Sequence, residues 1–287
     1  MLGKLIKYDF KALKKTLLPL CFGVVALSVF TSFIMKLFYW FEESSKNLED
    51  ALNAVLGTAL TILIGFCFLA LAAAAFIAWF LILSRYYKNL FKDEGYLTFT
   101  LPVKTGNILL SKLISSGVWA LITGVFAIIG IFVFLIFGTS RAFVNTDALK
   151  FFGDIWNAYW HNSVLTVADY IIIPVETVFV ILCSIAQNIL LLFLAITLGN
   201  QIAKKHKIFA SVGMYFAVNT IASTIISAVL IIVSFCFFDS IIDSSVTPEP
   251  TTVFYTYMLV VIVISALLSL AYFFINKAIL KNHLNLE

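Results

Sequence analysis

Six long apolar stretches alternate with polar connectors along this chain: Leu17–Trp40, Leu52–Ser84, Ile108–Gly138, Pro174–Gly199, Ile208–Phe238 and Val253–Ile275. A helix needs about 20 apolar residues to cross a hydrocarbon core of roughly 30 Å, and every stretch reaches that length. The second, third and fifth exceed it and are expected to tilt or to project beyond the bilayer. Ahead of the first stretch the pattern changes. At about 100° per residue, Leu2, Leu5, Ile6, Phe10, Leu13 and Leu17 fall in one sector of a helix. Lys4, Lys7, Lys11, Lys14 and Lys15 fall opposite. Residues 1–16 are therefore expected to form an N-terminal amphipathic interfacial helix, its lysines toward anionic lipid headgroups. Asp9 projects onto the apolar sector, where a carboxylate needs a partner. It marks the face expected to touch another protein part.

The whole pattern predicts an all-α polytopic membrane protein with six transmembrane helices in one domain, 1–287, without internal repeats. The basic start followed by an apolar run resembles a signal peptide, but the run is too long and no A-x-A site follows it, so it reads as a retained first helix. The third connector, residues 139–173, is the longest and holds Trp156, Tyr159, Trp160 and Tyr170. Such aromatics favour the membrane interface, and a short helix on the outer leaflet is expected there.

Charge gives the pattern a direction. Fifteen of the 19 Lys and Arg residues lie at the N-terminus, in the second and fourth connector regions and at the C-terminus; Lys36, Lys46, Arg141 and Lys150 lie on the other side. The positive-inside rule then puts both termini in the cytoplasm, as an even number of spans requires. Acidic residues such as Glu42, Glu49, Asp147, Asp154 and Asp243 fall outside. The net charge of +4 follows from this asymmetry and points to no nucleic-acid partner. Charged residues make up 12% of the chain, half of what a soluble domain carries.

Candidate chemistry is sparse. Cys21, Cys67, Cys183 and Cys236 stand singly without a CxxC or Cys/His cluster, so neither disulfides nor a metal site is expected. No paired carboxylates and no nucleophile–base pattern appear, and no G-x-x-x-x-G-K-[ST] is present to cradle a phosphate. The chain is therefore not expected to be an enzyme or to bind a cofactor itself. No ionisable residue stands at mid-span, which argues against ion coupling. The polar groups that do lie within spans form ridges. Asn219, Ser223 and Ser227 recur every four residues on the fifth span, Thr61 and Gly65 lie on a small-residue ridge of the second, and Gln187 and Asn188 sit near the middle of the fourth. All of these are candidates for a path or a dimer interface; for the second span close helix packing is the better account, whereas the fifth-span ridge is expected to face a cavity or a homodimer partner.

The second connector, residues 85–104, is cytoplasmic on this topology and yet rich in Tyr86, Tyr87, Leu90, Phe91, Tyr96, Leu97, Phe99 and Leu101. An apolar loop needs a surface to cover it. Lipid is one such surface; a partner protein is another. Here the run Lys92-Asp-Glu-Gly-Tyr-Leu-Thr-Phe-Thr-Leu-Pro-Val103 resembles the coupling segment of six-span ABC-2 type permeases of Firmicutes. The opening Met1-Leu-Gly-Lys-Leu-Ile-Lys-Tyr-Asp-Phe-Lys11 resembles the connecting helix of the same group. The resemblance implies a cytoplasmic coupling helix between spans two and three that docks on a separate ABC ATPase subunit. Asp93, Glu94, Gly95, Tyr96, Leu97 and Leu101 would form that dock. It further implies two permeases with two ATPases, ATP and Mg bound by the partner, a bacterial cell membrane, and a path bordered by spans two and five. Export of an amphipathic or hydrophobic substrate follows, with peptides such as phenol-soluble modulins or bacteriocins within the family's range. The chain departs from some members in the short connector Asp239–Thr252. An ion-coupled secondary transporter and a non-transporting scaffold or immunity protein are the alternatives.

Overall fold

The computed structural model describes residues 2–44, 50–92, 95, 100, 103–139, 146–161, 165–203, 205–242 and 250–282. Seven α-helices account for nearly all of them: α1 (Leu2–Ser44), α2 (Asp50–Phe91), α3 (Thr105–Gly138), α4 (Thr146–Trp160), α5 (Asp169–Ile202), α6 (Lys207–Ile242) and α7 (Pro250–Asn282). No strand occurs among the described residues. All but α4 are long and apolar enough to cross a membrane. Each runs beyond the apolar stretch that announced it at one end or both.

Two of these extensions change the sequence picture. The amphipathic N-terminal segment is not a separate helix: α1 is continuous through Pro19 for 43 residues. Its five N-terminal lysines are exposed, Leu13 and Leu17 are buried, and Asp9 is buried at 6% exposure. At the other end, α2 reaches Phe91, so the first two turns' worth of residues 85–104 are helix rather than loop.

The chain divides into two compact units. One comprises Tyr8–Ser84 and Val118–His161. Its core joins Leu13 and Leu17 of α1 to Ala78 and Ile82 of α2 and Trp119 of α3. The Trp119 ring stacks on Phe10 at 5.1 Å, and its indole N–H donates to the Phe10 carbonyl at 3.2 Å, satisfying the polar edge of a side chain that is 1% exposed. In the same unit α4 folds back on α3 through Phe152 and Phe132, 4.7 Å apart.

The other unit comprises Met1–Lys7, Arg85–Gly117 and Asn162–Glu287. Here α5 packs against both α6 and α7. Leu190, Leu191 and Leu194 of α5 meet Ala222 of α6 and Tyr272 of α7. At the α5–α6 turn, a Cβ on Gly199 would overlap the backbone of Ser211, so glycine is what permits this approach. Two hydrogen bonds tie α5 to α7. The Tyr255 hydroxyl donates to the Asp169 carboxylate, which also accepts from the Thr166 N–H at 2.7 Å and hydroxyl at 2.8 Å. Deeper in, the fully buried Asn276 amide donates to the Leu190 carbonyl at 3.3 Å. Both ties join residues 86 apart in sequence, so α5 and α7 run parallel and in register for about six turns.

Candidate functional site: a polar cleft between three spans

Within the unit built on α5, α6 and α7 lies a cleft of about 270 Å³. From α5 come Ser184, Gln187 and Asn188, from α6 Asn219, Ala222, Ser223 and Ile226, and from α7 Val261, Ile264 and Ser265. The helical period explains the grouping. Gln187 and Asn188 follow Ser184 at three and four residues, Ser223 follows Asn219 at four, and Ser265 follows Val261 at four, so each helix turns one narrow stripe inward.

The hydrogen bonds separate two kinds of lining group. Of the three lining hydroxyls, Ser184 and Ser265 have no side-chain hydrogen-bond partner among the described residues, while Ser223 turns back on its own helix and donates to the Thr220 carbonyl at 3.0 Å. The Asn188 amide likewise donates to the Ser184 carbonyl at 2.8 Å. Gln187 and Asn219 have no hydrogen-bond partner among the described residues. Both are half-buried. Each carries two donors and an acceptor that the cleft leaves open. Among the described residues, no acidic or basic side chain lines the space. At about 30 Å³ apiece the volume accommodates roughly nine waters, or polar, uncharged groups in their place.

The remaining candidates from the sequence are scattered. Ser227 is exposed, donates to the Thr224 carbonyl at 3.0 Å and lies off the cleft lining, one turn beyond Ser223. Thr61 and Gly65 belong to α2 in the other unit; Thr61 is exposed, and its hydroxyl donates to the Gly57 carbonyl at 2.9 Å. Of the six proposed docking residues, Gly95 is described: it is buried, and its N–H donates to the Lys92 carbonyl at 2.7 Å. Asp93, Glu94, Tyr96, Leu97 and Leu101 lie outside the described residues.

Upstream of that segment the structure reassigns several aromatics. Tyr86 is 1% exposed and stacks on Phe193 of α5, centroids 3.7 Å apart and planes 5° from parallel. Thr197 spends its proton on the Phe193 carbonyl at 2.7 Å, so the Tyr86 hydroxyl donates to Thr197 across 3.1 Å. Leu90 is fully buried. The surface that covers Tyr86 is the chain's own α5, and both residues are closed to a partner.

Sequence reasoning missed Ser265 and Ile264. Ser265 recurs with Ser269 four residues on, and that short polar repeat on one face of α7 was the signal available in the sequence. No family model, curated protein or solved structure matches this chain. Fold and site together define a multi-pass membrane protein with, among the described residues, six transmembrane-capable helices and a polar cleft without charged lining inside one unit.

Proposed function

We propose that this chain is the membrane-spanning permease subunit of an ATP-driven ABC-2 type exporter, moving an amphipathic or hydrophobic substrate, preferably a peptide, outward. The observation that carries the reading is the cleft: polar, set among membrane-spanning helices and, among the described residues, free of charge. The open amides of Gln187 and Asn219 match the donor and acceptor pair of a peptide bond. Ion-coupled transport would call for acidic or basic groups at such a site, and the lining side chains are neutral. Energy must then come from elsewhere, and the Lys92–Val103 segment with its coupling-like Asp-Glu-Gly-Tyr-Leu core supplies the means: docking on a separate ATPase. Two copies of each subunit would complete the transporter, with ATP and Mg held by the ATPases. A scaffold would bind a partner equally well but would not stimulate its turnover.

The test is purification of the tagged chain from its native membrane with a search for a co-purifying ABC ATPase, followed by ATP hydrolysis with and without amphipathic peptides. Binding and peptide-stimulated hydrolysis are expected. Charge-assisted and aromatic anchors dominate interfaces of this kind. Glu94→Arg or Tyr96→Ala should therefore weaken capture at least about tenfold, the equivalent of 1.4 kcal/mol, with membrane insertion unchanged. Undiminished capture by both variants sinks the docking role.

A further inference from the structure

Ser265 of α7, 5% exposed, is the most buried polar residue in the lining of the cleft between α5, α6 and α7. Its hydroxyl has no side-chain hydrogen-bond partner among the described residues. A serine inside a helix ordinarily relieves this by donating to a carbonyl three or four residues back. Ser269, one turn further along α7, does so at the Ala266 carbonyl (2.8 Å), and Ser223 of α6 at the Thr220 carbonyl (3.0 Å). Ser265 keeps its proton, and so does Ser184 of α5. A buried hydroxyl left unpaired is costly, so something that enters the cleft must complete its bonding.

Four lining groups are open: the hydroxyls of Ser184 and Ser265 and the amides of Gln187 and Asn219. They decide what can replace water there. An apolar side chain would displace the water and return no hydrogen bond. A carboxylate or ammonium would lose its hydration and find no counter-charge in the lining. The fitting group is neutral and offers donors and acceptors together.

The three helices are long and apolar enough to cross a membrane. A peptide lying among such helices satisfies its backbone within its own helix, so it presents side chains to the cleft. Of the neutral side chains, a carboxamide has two donors and an acceptor with two lone pairs, which matches the four open groups in number; a hydroxyl has one donor. The volume of about 270 Å³, room for roughly nine waters, admits that group with its stem. We propose that the cleft is a selectivity site for one Asn or Gln side chain of the transported peptide, and that Ser265 is its specificity-determining residue, donating to the carboxamide oxygen. This rests on the reading of the cleft as a peptide site.

The experiment uses the full chain in nanodiscs with no ATPase present. The probe is a leucine–alanine helix of about 20 residues, enough to span the bilayer, with photoleucine beside a central Gln, Ser or Met. After irradiation, adducts are mapped by peptide. The Gln probe should label the segments holding Asn219 and Ser265 about tenfold more than the Met probe of similar size. Ser265→Ala should lower Gln labelling about fivefold, leave Met labelling unchanged, and be rescued by Ser265→Thr, whereas a merely structural role would move both probes alike. Ser184→Ala removes the other free hydroxyl, should lower Gln labelling similarly, and stands in if Ser265→Ala fails to fold. Equal labelling by Gln and Met overturns the inference, as does stronger labelling by Ser, or Gln labelling that neither alanine variant moves. Because the assay holds no ATPase, the two readings fail separately. Gln preference without any co-purifying ATPase would sink the exporter and keep the cleft; peptide-stimulated hydrolysis without Gln preference would do the reverse.

Discussion

Many serine and threonine side chains in this molecule discharge their protons locally. Ser28, Thr31, Ser32, Thr61, Thr197, Ser223 and Ser227 all donate to carbonyls three or four residues back on their own helices. That escape makes serine and threonine poor markers of a path, since each can face lipid without an orphaned donor. An amide is different, because two donors and an acceptor exceed what one helix turn can absorb. On this ground Asn219 is the strongest of the ridge residues in the sequence, and Asn219 lines the cleft while Ser227 does not. Ile226 also lines it, so a conservative control belongs elsewhere, at exposed Ile232. Asn219→Leu should reduce peptide-stimulated ATP hydrolysis by the reconstituted transporter about tenfold, in keeping with one lost charge-free hydrogen bond at about 1 to 1.5 kcal/mol. Ile232→Leu should leave it unchanged. Equal effects from the two would remove the cleft from the mechanism.

At the scale of elements, period outweighs polarity. Arg85, Lys88 and Lys92 break the apolar run of the second span, and on hydropathy alone the chain leaves the membrane at Ser84. Yet Tyr86 and Leu90, and Tyr87 and Phe91, stand four apart, the spacing of one helix face, and α2 continues to Phe91. The existence of every span was legible because 20 apolar residues have few other uses. The ends were not, since what stops a helix is local and what covers its last turns is tertiary. The covering here is α5: the Tyr86 ring lies on Phe193 and its hydroxyl on Thr197. The two contributions separate by substitution. Tyr86→Phe loses a hydrogen bond worth about 1 kcal/mol but keeps the stacked ring. Tyr86→Ala empties a fully buried site and should cost about 3 to 5 kcal/mol. Denaturant unfolding of the purified chain in detergent would measure both. Similar losses would mean that ring packing on α5 contributes little.

For the whole molecule the open question is direction, and helix ends bear on it. Lys88 and Lys92 stand at the end of α2, Lys104 precedes α3, Lys205 stands between α5 and α6, and Lys277 and Lys281 close α7. Together with the start of α1, these are the ends that share a side if six helices cross in alternation. Lys and Arg near span ends set orientation because they resist translocation, whereas Asp and Glu count for little. Lys36, Lys46, Arg141 and Lys150 oppose the assignment, and Lys150 is already drawn to Asp147 at 3.5 Å on α4. The majority should prevail, with both termini cytoplasmic. The probe is a membrane-impermeant maleimide applied to intact cells. Cys236 is exposed, so the four native cysteines are first replaced. Glu49→Cys should then label in intact cells, and Lys205→Cys, whose position is exposed between two helices, should label after permeabilisation alone. Reaction of Lys205→Cys in sealed cells would invert the topology. It would also place residues 85–104 outside, where no ATPase could reach them, and the exporter reading would fall with it.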